Sequence, residues 1–391
     1  MASRRARGEG SIRKRTDRTN GGEVRWVATL ELDWKDGKRQ RKSIYGKTRE
    51  EVSTTLKAAM KDRDRGLDVG AKAQTLEQFL QGWLNGRVKD LAPKTVRAYE
   101  QQVRLHIAPR LGRIQLQKLT PQHVEQLFAS QTAGGLAPGS VRGTRAVLRA
   151  ALRDAERLNL VDRNAAQLAR PPRAVRTETK FLTLDQALRM LDVAQVDPAA
   201  SRQVALYRLA VSLGPRLGEI CGLRWEDLDL HAQPPQIRIR HGLQRVDGHL
   251  KLMPTKTYRS DRNIELPELV AEALREHRER QAFERRGAGA AWQESGHVFT
   301  TPVGAPLDPD NLRKAFKRLL VAAELPEIRF HDLRHSAASI LLYAGVPMRV
   351  VSEILGHSTM AITADLYSHV VPAMQHDAAT ASDRVMARVA Q

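Results

Sequence analysis

The sequence predicts a mainly α-helical protein with small β-sheets, built from three consecutive parts. Between residues 74 and 172, apolar residues recur at steps of three and four, which is the period of one helix face. Near the N-terminus apolar and polar residues alternate, which is the period of a strand, and a β-rich insert interrupts later helices at 236–267. We therefore expect a small three-stranded sheet plus a helix over 1–73, an all-α part over 74–172, and a mixed α+β part over 173–391.

The first part contains strand patterns followed by a helix pattern. Alternate apolar residues mark a strand in the stretch RWVATLELDW: Trp26, Ala28, Leu30 and Leu32. The turn signal Asp36–Lys38 separates it from a second strand over 39–46. In the helix that follows, Thr48 is the expected N-cap, Glu51 completes a capping box, and Gly66 is the expected stop.

The middle part contains amphipathic helix patterns, one of which has a basic face. The first helix repeats apolar residues at steps of three and four: Val96, Tyr99, Val103 and Ile107. Thr120 and Pro121 suit the N-cap and first position of the next helix. A longer helix aligns Val141, Thr144, Leu148, Ala151 and Ala155 on one face. Its other face carries Arg142, Arg145, Arg149 and Arg153. This basic stripe fits either a solvated surface or a track for phosphates.

A Pro- and Arg-rich stretch over 168–180 has no apolar period and indicates a linker between domains. Directly after it, Thr183 and Gln186 form the capping-box signature of a new helix. The remaining chain is predicted to be mostly helical apart from the β-rich insert.

The composition indicates a polyanionic partner. The 391 residues carry a formal net charge of +20, and such an excess of Lys and Arg typically serves nucleic acid binding. Residues 1–73 alone contain 20 Lys and Arg against 11 Asp and Glu, a net charge of +9. An anionic membrane is the competing partner, but the sequence has no run of 18 apolar residues, so no spanning helix is expected.

The N-terminus and the single cysteine bear on the compartment. The segment MASRRARGEGSIRKR is basic and has no apolar stretch, which argues against a secretory signal. Cys221 has no second cysteine with which to form an internal disulfide, and an intracellular protein is the simplest inference.

The segment FHDLRHSAASILLYAG provides the sharpest local signal for a functional site. On a helix, His331, Arg334 and His335 lie at i, i+3 and i+4 and share one face. Leu333 and Ala337 lie on the apolar side. Two histidines and an arginine that converge opposite a core are suited to binding an anion, and the alternative is an exposed polar face.

A second candidate is Arg216. The preceding helix pattern breaks at Gly214 and Pro215, which places Arg216 at the start of a new helical run. A guanidinium in that position, beside free backbone N–H groups, can bind phosphate oxygens in a bidentate manner. Glu219, one turn later, can hold the arginine in place, and the alternative is a plain ion pair at a helix start.

Three further residues are ordinary when each is considered alone. Lys256 falls in a turn between two predicted strands, where a lysine at a hairpin tip is usually a solvated charge. His357 follows Gly356, a helix-ending glycine, and is therefore expected in a tight turn. Tyr367 lies ten residues later, beside an apolar helical stripe where a tyrosine usually packs in the core.

The order and spacing of six residues resemble the tyrosine recombinase (phage integrase) family: Arg216, Lys256, His331, Arg334, His357 and Tyr367. The resemblance covers about 178–391, and the motifs HDLRH, LGH and a tyrosine followed by SHV make it highly specific. The stretch LRWEDLDL at 223–230 is also similar to the segment after the first arginine in integrases of phages and mobile elements.

The resemblance extends to the other parts of the chain, and two details depart from the common pattern. Residues 74–172 are similar to the core-binding domain of the family, and 1–73 are similar to the arm-type DNA-binding domain of a subset of integrases. One departure is the gap of ten residues from His357 to Tyr367, which is one longer than in some members but similar to that in many Gram-positive integrases. The other is Pro215, which directly precedes Arg216 where the family usually has a non-proline residue. We expect Pro215 to affect the first turn of the helix after it.

For these residues the resemblance implies a phosphoryl transfer that needs no metal, no ATP and no other cofactor. Tyr367 is implied as the nucleophile that attacks the scissile phosphate and forms a 3′-phosphotyrosyl bond. Arg216 and Arg334 are implied to bind the non-bridging oxygens, and His357 to donate a further hydrogen bond.

The resemblance also assigns the proton transfers and two supporting positions. Lys256 is implied as the group that protonates the leaving 5′-oxygen, and His331 as a general base toward the tyrosine. Glu219 and His335 are expected to hold these residues in position without contacting the phosphate. A 5′-hydroxyl of a partner duplex then reverses the step, so that two exchanges recombine the DNAs and integrate, or excise, a phage or another mobile element.

The same resemblance implies particular partners and a compartment. The expected substrate is double-stranded DNA with core and arm attachment sites, bound by a homotetramer when the sites are synapsed. A host DNA-bending protein and an excision directionality factor are further candidate partners, and no membrane partner is expected. The expected location is the bacterial cytoplasm, in association with the nucleoid.

Several other interpretations compete with this one. A type IB topoisomerase uses a similar set of residues but acts as a monomer. A catalytically silent DNA-binding regulator would not need all six of the residues named above. A zinc site could be drawn from His331, His335, His357 and His369, although no cysteine or carboxylate joins them at metal-ligand spacing. Cys221 as a nucleophile is disfavoured because its helix carries no paired histidine.

Overall fold

The computed structural model describes most of the chain in two compact units. The described residues are 11–16, 24–35, 38–64, 74–87, 89–171, 180–255, 261–357, 359–360 and 364. Unit 1 spans Met1–Arg176 and unit 2 spans Thr177–Gln391. Within the described residues no helix is long and apolar enough to cross a membrane. The division into three domains at 73 and 172 stays a prediction.

Unit 1 opens with the predicted sheet and helix. Its elements are β1 (Ser11–Thr16), β2 (Val24–Lys35), β3 (Lys38–Gly46) and α1 (Arg49–Asp64). The strands pair antiparallel in the order β1-β2-β3, and α1 packs against them around buried Ala28, Leu30 and Val52. The three-stranded sheet plus helix is therefore confirmed. The turn residues 36–37 and the expected stop Gly66 lie outside the described residues.

The rest of unit 1 is helical, as predicted. It contains α2 (Leu76–Arg87), α3 (Pro93–Gln102), a π-helical turn (Val103–Ile107), α4 (Ala108–Leu111), α5 (Pro121–Ala133), α6 (Pro138–Arg157) and α7 (Ala165–Leu168). Their apolar faces meet in one core that includes fully buried Leu80, Ile107, Leu127 and Leu148. Thr120 caps α5 and Pro121 is its first residue, as expected from the sequence.

The basic stripe on α6 is only partly exposed. Arg142, Arg149 and Arg153 are exposed, but Arg145 donates hydrogen bonds to the carbonyl oxygens of Ala166 and Gln167, each at 3.2 Å. Arg145 therefore ties α7 to α6, which a helical wheel of α6 alone does not reveal.

Unit 2 is a mixed α+β unit. Its helices are α8 (Leu184–Val196), α9 (Val204–Leu213), α10 (Leu217–Cys221), α11 (Glu268–Ala288), α12 (Pro309–Ala322), α13 (Leu333–Tyr343) and α14 (Met348–Leu355). Its strands are β4 (Leu228–Asp229), β5 (Gln236–Ile239), β6 (His241–Val246), β7 (His249–Pro254) and β8 (Arg262–Glu265). Together with unit 1 these elements confirm the predicted fold class. The apolar helix α9 runs through the core and packs against α11 and α13.

The strand pairing corrects one expectation about Lys256. The sequence suggested that the strands on either side of it form a hairpin with the lysine at its tip. In the described residues β7 instead pairs with β6, and β8 pairs with β5 in a separate sheet of order β4-β5-β8. The segment 256–260, which contains Lys256 and lies outside the described residues, therefore connects two sheets. The expectation was wrong because β8 pairs with β5, and the β6–β7 hairpin lies between these two strands in the sequence.

Two glycines allow α10 to lie directly on the backbone of β6. A Cβ atom on Gly218 would lie 3.0 Å from the carbonyl oxygen of Leu243, and one on Gly222 would lie 2.8 Å from the backbone nitrogen of Leu243. Backbone atoms of a paired strand cannot move aside cheaply. This close approach fixes α10, which begins directly after Arg216.

Gly222→Ala is expected to destabilise unit 2 by about 1–3 kcal/mol, because the added methyl group overpacks against β6. Gly287→Ala in α11 is the matched control, since no atom lies within 4 Å of its Cβ position and alanine is favoured over glycine within a helix by about 0.5–1 kcal/mol. Thermal unfolding of both variants measures the difference, and equal melting temperatures would contradict the packing argument.

Candidate active site

The C-terminal end of α14 is surrounded by three arginines. Arg262 donates through Nε to the carbonyl oxygen of Ile354 at 2.7 Å, and Arg334 donates through Nη2 to that of Leu355 at 2.5 Å. Arg216 donates through Nη2 to the carbonyl oxygen of Gly356 at 3.1 Å. The last carbonyls of a helix have no partner within the helix and carry partial negative charge, so cations stabilise them. We call these three carbonyls the carbonyl end of α14.

Arg216 is held by Glu219, as the sequence suggested. Its backbone N–H donates to Glu219 Oε2 at 3.0 Å, and its Nη1 donates to Glu219 Oε1 at 2.7 Å. The Glu219 side chain is 5% exposed, whereas the Arg216 side chain is 39% exposed. The arginine is therefore fixed from the protein side while its guanidinium stays accessible from solvent.

Pro215 leaves this arrangement intact. Helix α9 ends at Leu213, Gly214 follows with φ of +60°, and Arg216 adopts an extended conformation as the N-cap of α10. A Cβ on Gly214 would lie 2.7 Å from the Leu355 side chain, so a glycine is needed both for the backbone conformation and for the close approach.

Glu219 accepts from a second arginine. Arg262 Nη2 donates to Glu219 Oε2 at 3.0 Å, and both side chains are at most 7% exposed. Burial alone raises the pKa of the Glu219 carboxyl, but the charges of Arg262 and Arg216 and their hydrogen bonds lower it below its ordinary value. Glu219 is therefore ionised at neutral pH and offsets two neighbouring positive charges.

Arg334 is buried, which corrects the expected solvent-facing position. Besides the carbonyl of Leu355, its guanidinium donates through Nη1 to the carbonyl oxygen of Gly214 at 2.9 Å. Burial and the nearby charge of Arg216 lower the pKa of Arg334 to about 9, so it stays protonated at neutral pH. The prediction from the helix face was wrong for Arg334, because the carbonyl oxygens of Gly214 and Leu355 supply the hydrogen-bond partners that a buried guanidinium requires.

His331 and His335 lie near the start of α13. His331 belongs to a short 3₁₀ turn at Phe330–Asp332 and is exposed, whereas His335 is half-buried, with the two rings 5.6 Å apart. Burial lowers the pKa of both histidines, and at His331 the charges of His335 and Arg334 lower it further. Nδ1 of His335 is buried and has no hydrogen-bond partner in the described part of the chain.

His357 directly follows the carbonyl end of α14. Gly356 adopts the left-handed conformation with φ of +66°, and the backbone N–H of His357 donates to the carbonyl oxygen of Ser352 at 3.1 Å. The residue is 7% exposed. Burial, and then the positive charges of Arg334 and Arg216, lower the pKa of His357 to about 3. The imidazole is therefore neutral at neutral pH and can donate one ring hydrogen bond.

The site contains one residue that the sequence arguments missed. Arg262 is the first residue of β8 and shares its inward face with Ile264. A signal was present in the sequence, because a period of two places Arg262 on the same side as apolar Ile264 and Leu266. A charged residue at such a position requires buried partners.

The structure thus brings together Arg216, Glu219, Arg334 and His357 around the carbonyl end of α14, with His335 close enough to contribute to the lowered pKa of His357. Lys256, Tyr367 and His369 lie outside the described residues. Within the described ranges, no three His, Cys, Asp or Glu side chains are grouped so as to hold a metal ion. Cys221 is buried, and burial raises the pKa of its thiol to about 12, so it is not a thiolate at neutral pH.

His357 is expected to make the stability of unit 2 depend on pH. Its pKa is about 3 in the folded chain and about 6.5 in an unfolded one. Between these values the unfolded state binds more protons, so stability falls as the pH falls from 7 to 5. Hydrogen exchange of the α13 amides, corrected for the intrinsic rates, measures this change. In His357→Gln the change should be smaller by about 2 kcal/mol.

The exposed histidine His231 provides the control for this measurement. His231→Gln should retain the pH dependence of the unchanged protein. An identical pH dependence in the His357 and His231 variants would contradict the assignment of a buried neutral imidazole at position 357.

Comparisons with known proteins identify the family of the chain. The profile of the phage integrase family matches residues 180–374, and that of a phage integrase N-terminal SAM-like domain matches residues 75–130. An integrase of Streptomyces ambofaciens is 30% identical over 400 residues, covering 99% of each chain. A XerC-like tyrosine recombinase of Caldanaerobacter subterraneus is 28% identical, covering 93% of this chain and 97% of that protein.

A solved structure has a similar fold. The Tn1549 transposon integrase in complex with transposon right-end DNA has a TM-score of 0.68 at 21% identity, covering 78% of this chain and 100% of that chain. These relatives give no support to the topoisomerase or silent-regulator alternatives. The chain belongs to the phage integrase family and is a tyrosine-type site-specific recombinase, an enzyme that cleaves and rejoins DNA strands.

Proposed function

We propose that this recombinase binds the scissile phosphate beside the carbonyl end of α14 and cleaves the strand with Tyr367. The observation that carries the proposal is that Arg216 and Arg334 bind successive carbonyls, Gly356 and Leu355, directly before His357. Two guanidinium charges and one neutral N–H donor thereby converge on one place. Such a fixed arrangement suits the negative charge that grows on the non-bridging oxygens of a phosphate.

The two arginines contribute in different ways. The Arg216 side chain is partly exposed and can donate directly to a phosphate oxygen. Arg334 is buried, and its charge acts on the site through a low-dielectric surrounding, where electrostatic interactions are stronger than in water. His357 is neutral, so it can donate a hydrogen bond without adding a further positive charge.

In the proposed reaction the hydroxyl oxygen of Tyr367 bonds to the phosphorus and the bond to the 5′-oxygen breaks. His331 accepts the tyrosine proton and Lys256 gives a proton to the leaving 5′-oxygen. His331 is suited to the first role because its lowered pKa keeps it neutral at neutral pH. The resulting 3′-phosphotyrosyl bond conserves the energy of the phosphodiester, and attack by a 5′-hydroxyl reverses the step. When cleavage and rejoining are repeated on two partner duplexes, a mobile element is integrated or excised.

Tyr367→Phe is expected to bind DNA normally and to form no covalent complex, because only the attacking oxygen is removed. The assay incubates the protein and EDTA with a nicked suicide duplex of the core site, and a shifted band on a denaturing gel reports covalent attachment. Tyr343→Phe is the matched control, since Tyr343 is an exposed tyrosine at the end of α13.

The control should form the covalent band at the rate of the unchanged protein. A covalent band from Tyr367→Phe would reject Tyr367 as the nucleophile. Loss of the band in EDTA for the unchanged protein, with recovery on adding Mg²⁺, would reject the metal-free reaction.

We also propose that 1–73 is a separate domain that binds arm-type DNA sites, while 74–172 contacts the core site. Helix α1 covers one face of the N-terminal sheet. On the opposite face, Arg13 and Tyr45 are both cross-strand neighbours of Val27, and Arg15 lies two residues from Arg13 on the same face. Arg13, Arg15 and Tyr45 are exposed. A sheet face that presents exposed basic and aromatic side chains suits a groove of DNA.

Replacing both Arg13 and Arg15 by alanine should weaken arm-site binding and leave core-site cleavage unchanged. The slope of log affinity against log salt should become shallower by about 2, because two phosphate contacts are lost. The matched control replaces Lys57 and Lys61, which are exposed on α1, and removes the same charge. Equal losses for the two pairs would indicate a general charge effect and would contradict a binding face on the sheet.

The remaining partners are proposed on the family resemblance. The active assembly is a homotetramer on synapsed DNA, in which the apolar residues Val385, Met386 and Val389 of one C-terminal segment pack on a neighbouring protomer. These residues lie outside the described part of the chain. A host DNA-bending protein, an excision directionality factor and a location at the nucleoid in a bacterial cytoplasm complete this proposal.

A further inference from the structure

Arg262 connects the two parts of the site. It is a buried arginine at the first position of β8, and its guanidinium binds acceptors on two different elements. Nη2 donates to Glu219 Oε2 on α10 at 3.0 Å, and Nε donates to the carbonyl oxygen of Ile354 on α14 at 2.7 Å. A single planar group thereby fixes the distance between α10 and the C-terminal end of α14.

The contact with Glu219 extends to Arg216. Glu219 Oε2 accepts from Arg262 and also from the backbone N–H of Arg216, while Oε1 accepts from the Arg216 side chain. The orientation of this carboxylate therefore determines both where the Arg216 backbone lies and where its guanidinium points. Arg262 fixes that orientation from the buried side.

The contact with Ile354 extends to His357. Ile354 lies three residues before His357, and the carbonyls between them bind Arg334 and Arg216. We propose that Arg262 is a positioning residue for the scissile phosphate, acting through Glu219 on Arg216 and through Ile354 on His357.

This inference rests on the proposed function of Arg216 and His357. A guanidinium is suited to the role because its rigid fork serves two acceptors at once, which a lysine ammonium on a flexible stem cannot reproduce. A displacement of about 1 Å in a reacting geometry is enough to cost about 10²-fold in rate. The expected defect is therefore in cleavage and not in DNA binding.

The test compares full-length Arg262→Lys and Arg262→Gln with a matched control, Arg275→Gln. Arg275 on α11 makes the same kind of bridge at a distant place, donating to Glu268 at 2.8 Å and to the carbonyl oxygen of Leu230 at 2.7 Å. Single-turnover cleavage of the suicide duplex is measured at saturating protein, and DNA affinity is measured separately. Because covalent product accumulates on this substrate, slow variants remain measurable.

Arg262→Lys and Arg262→Gln should cleave between about 10- and 100-fold more slowly, with the lysine variant the faster of the two, and with unchanged DNA affinity. Arg275→Gln should cleave at the unchanged rate. In an Arg216→Lys background the loss caused by Arg262→Lys should shrink, because the route through Glu219 to Arg216 is already impaired and only the route through Ile354 to His357 remains. A structural role would give the same loss in both backgrounds.

Arg262→Gln leaves Glu219 with one partner fewer, and if this variant does not fold, Arg262→Lys, which keeps the charge, decides the question. A folded Arg262→Lys protein that cleaves at the unchanged rate would overturn the inference, as would an undiminished loss in the Arg216→Lys background. Absence of covalent product from the unchanged protein and from Arg275→Gln would instead overturn the proposed function itself.

Discussion

The site depends on the interaction between three guanidinium groups and three successive backbone carbonyls. The end of any helix leaves carbonyls without partners, and α14 ends inside the protein, where such groups must be satisfied. Arginines from β8, from α13 and from the start of α10 supply the donors. Elements that are far apart in the sequence are thereby held within hydrogen-bond distance of one peptide stretch, and His357 emerges directly from it.

The same interaction sets the electrostatics of the site. Three positive charges near one another would repel, but ionised Glu219 lies between Arg216 and Arg262, and the carbonyls carry partial negative charge. Burial, and then the remaining positive charge of Arg334 and Arg216, lower the pKa of His357 to about 3. The groups that would receive an anion are thus already oriented and charged before DNA arrives, which is the condition for electrostatic stabilisation without reorganisation.

The sequence predicted what short-range patterns determine and missed what distant contacts determine. The Arg216–Glu219 pair and the glycine that ends α14 lie within one turn of the residues they affect, so their geometry could be inferred directly. Arg262 bonds to residues 43 and 92 positions away, and no local pattern indicates those partners. The pairing of β8 with β5 was missed for the same reason, because a neighbour in sequence was taken as the neighbour in the sheet.

The burial of Arg334 and Arg262 has a consequence for how ionic strength acts on this enzyme. Charges on an open surface are surrounded by mobile counterions and are screened within about 10 Å at ordinary salt, whereas buried charges are screened far less. The exposed arginines of α6 are surface charges and are therefore screened. Arg334 and Arg262 at the carbonyl end of α14 are buried and are therefore screened far less. Added salt is therefore expected to shorten the time that the enzyme spends on DNA, while an enzyme that is already bound should retain nearly the same field at the proposed phosphate site.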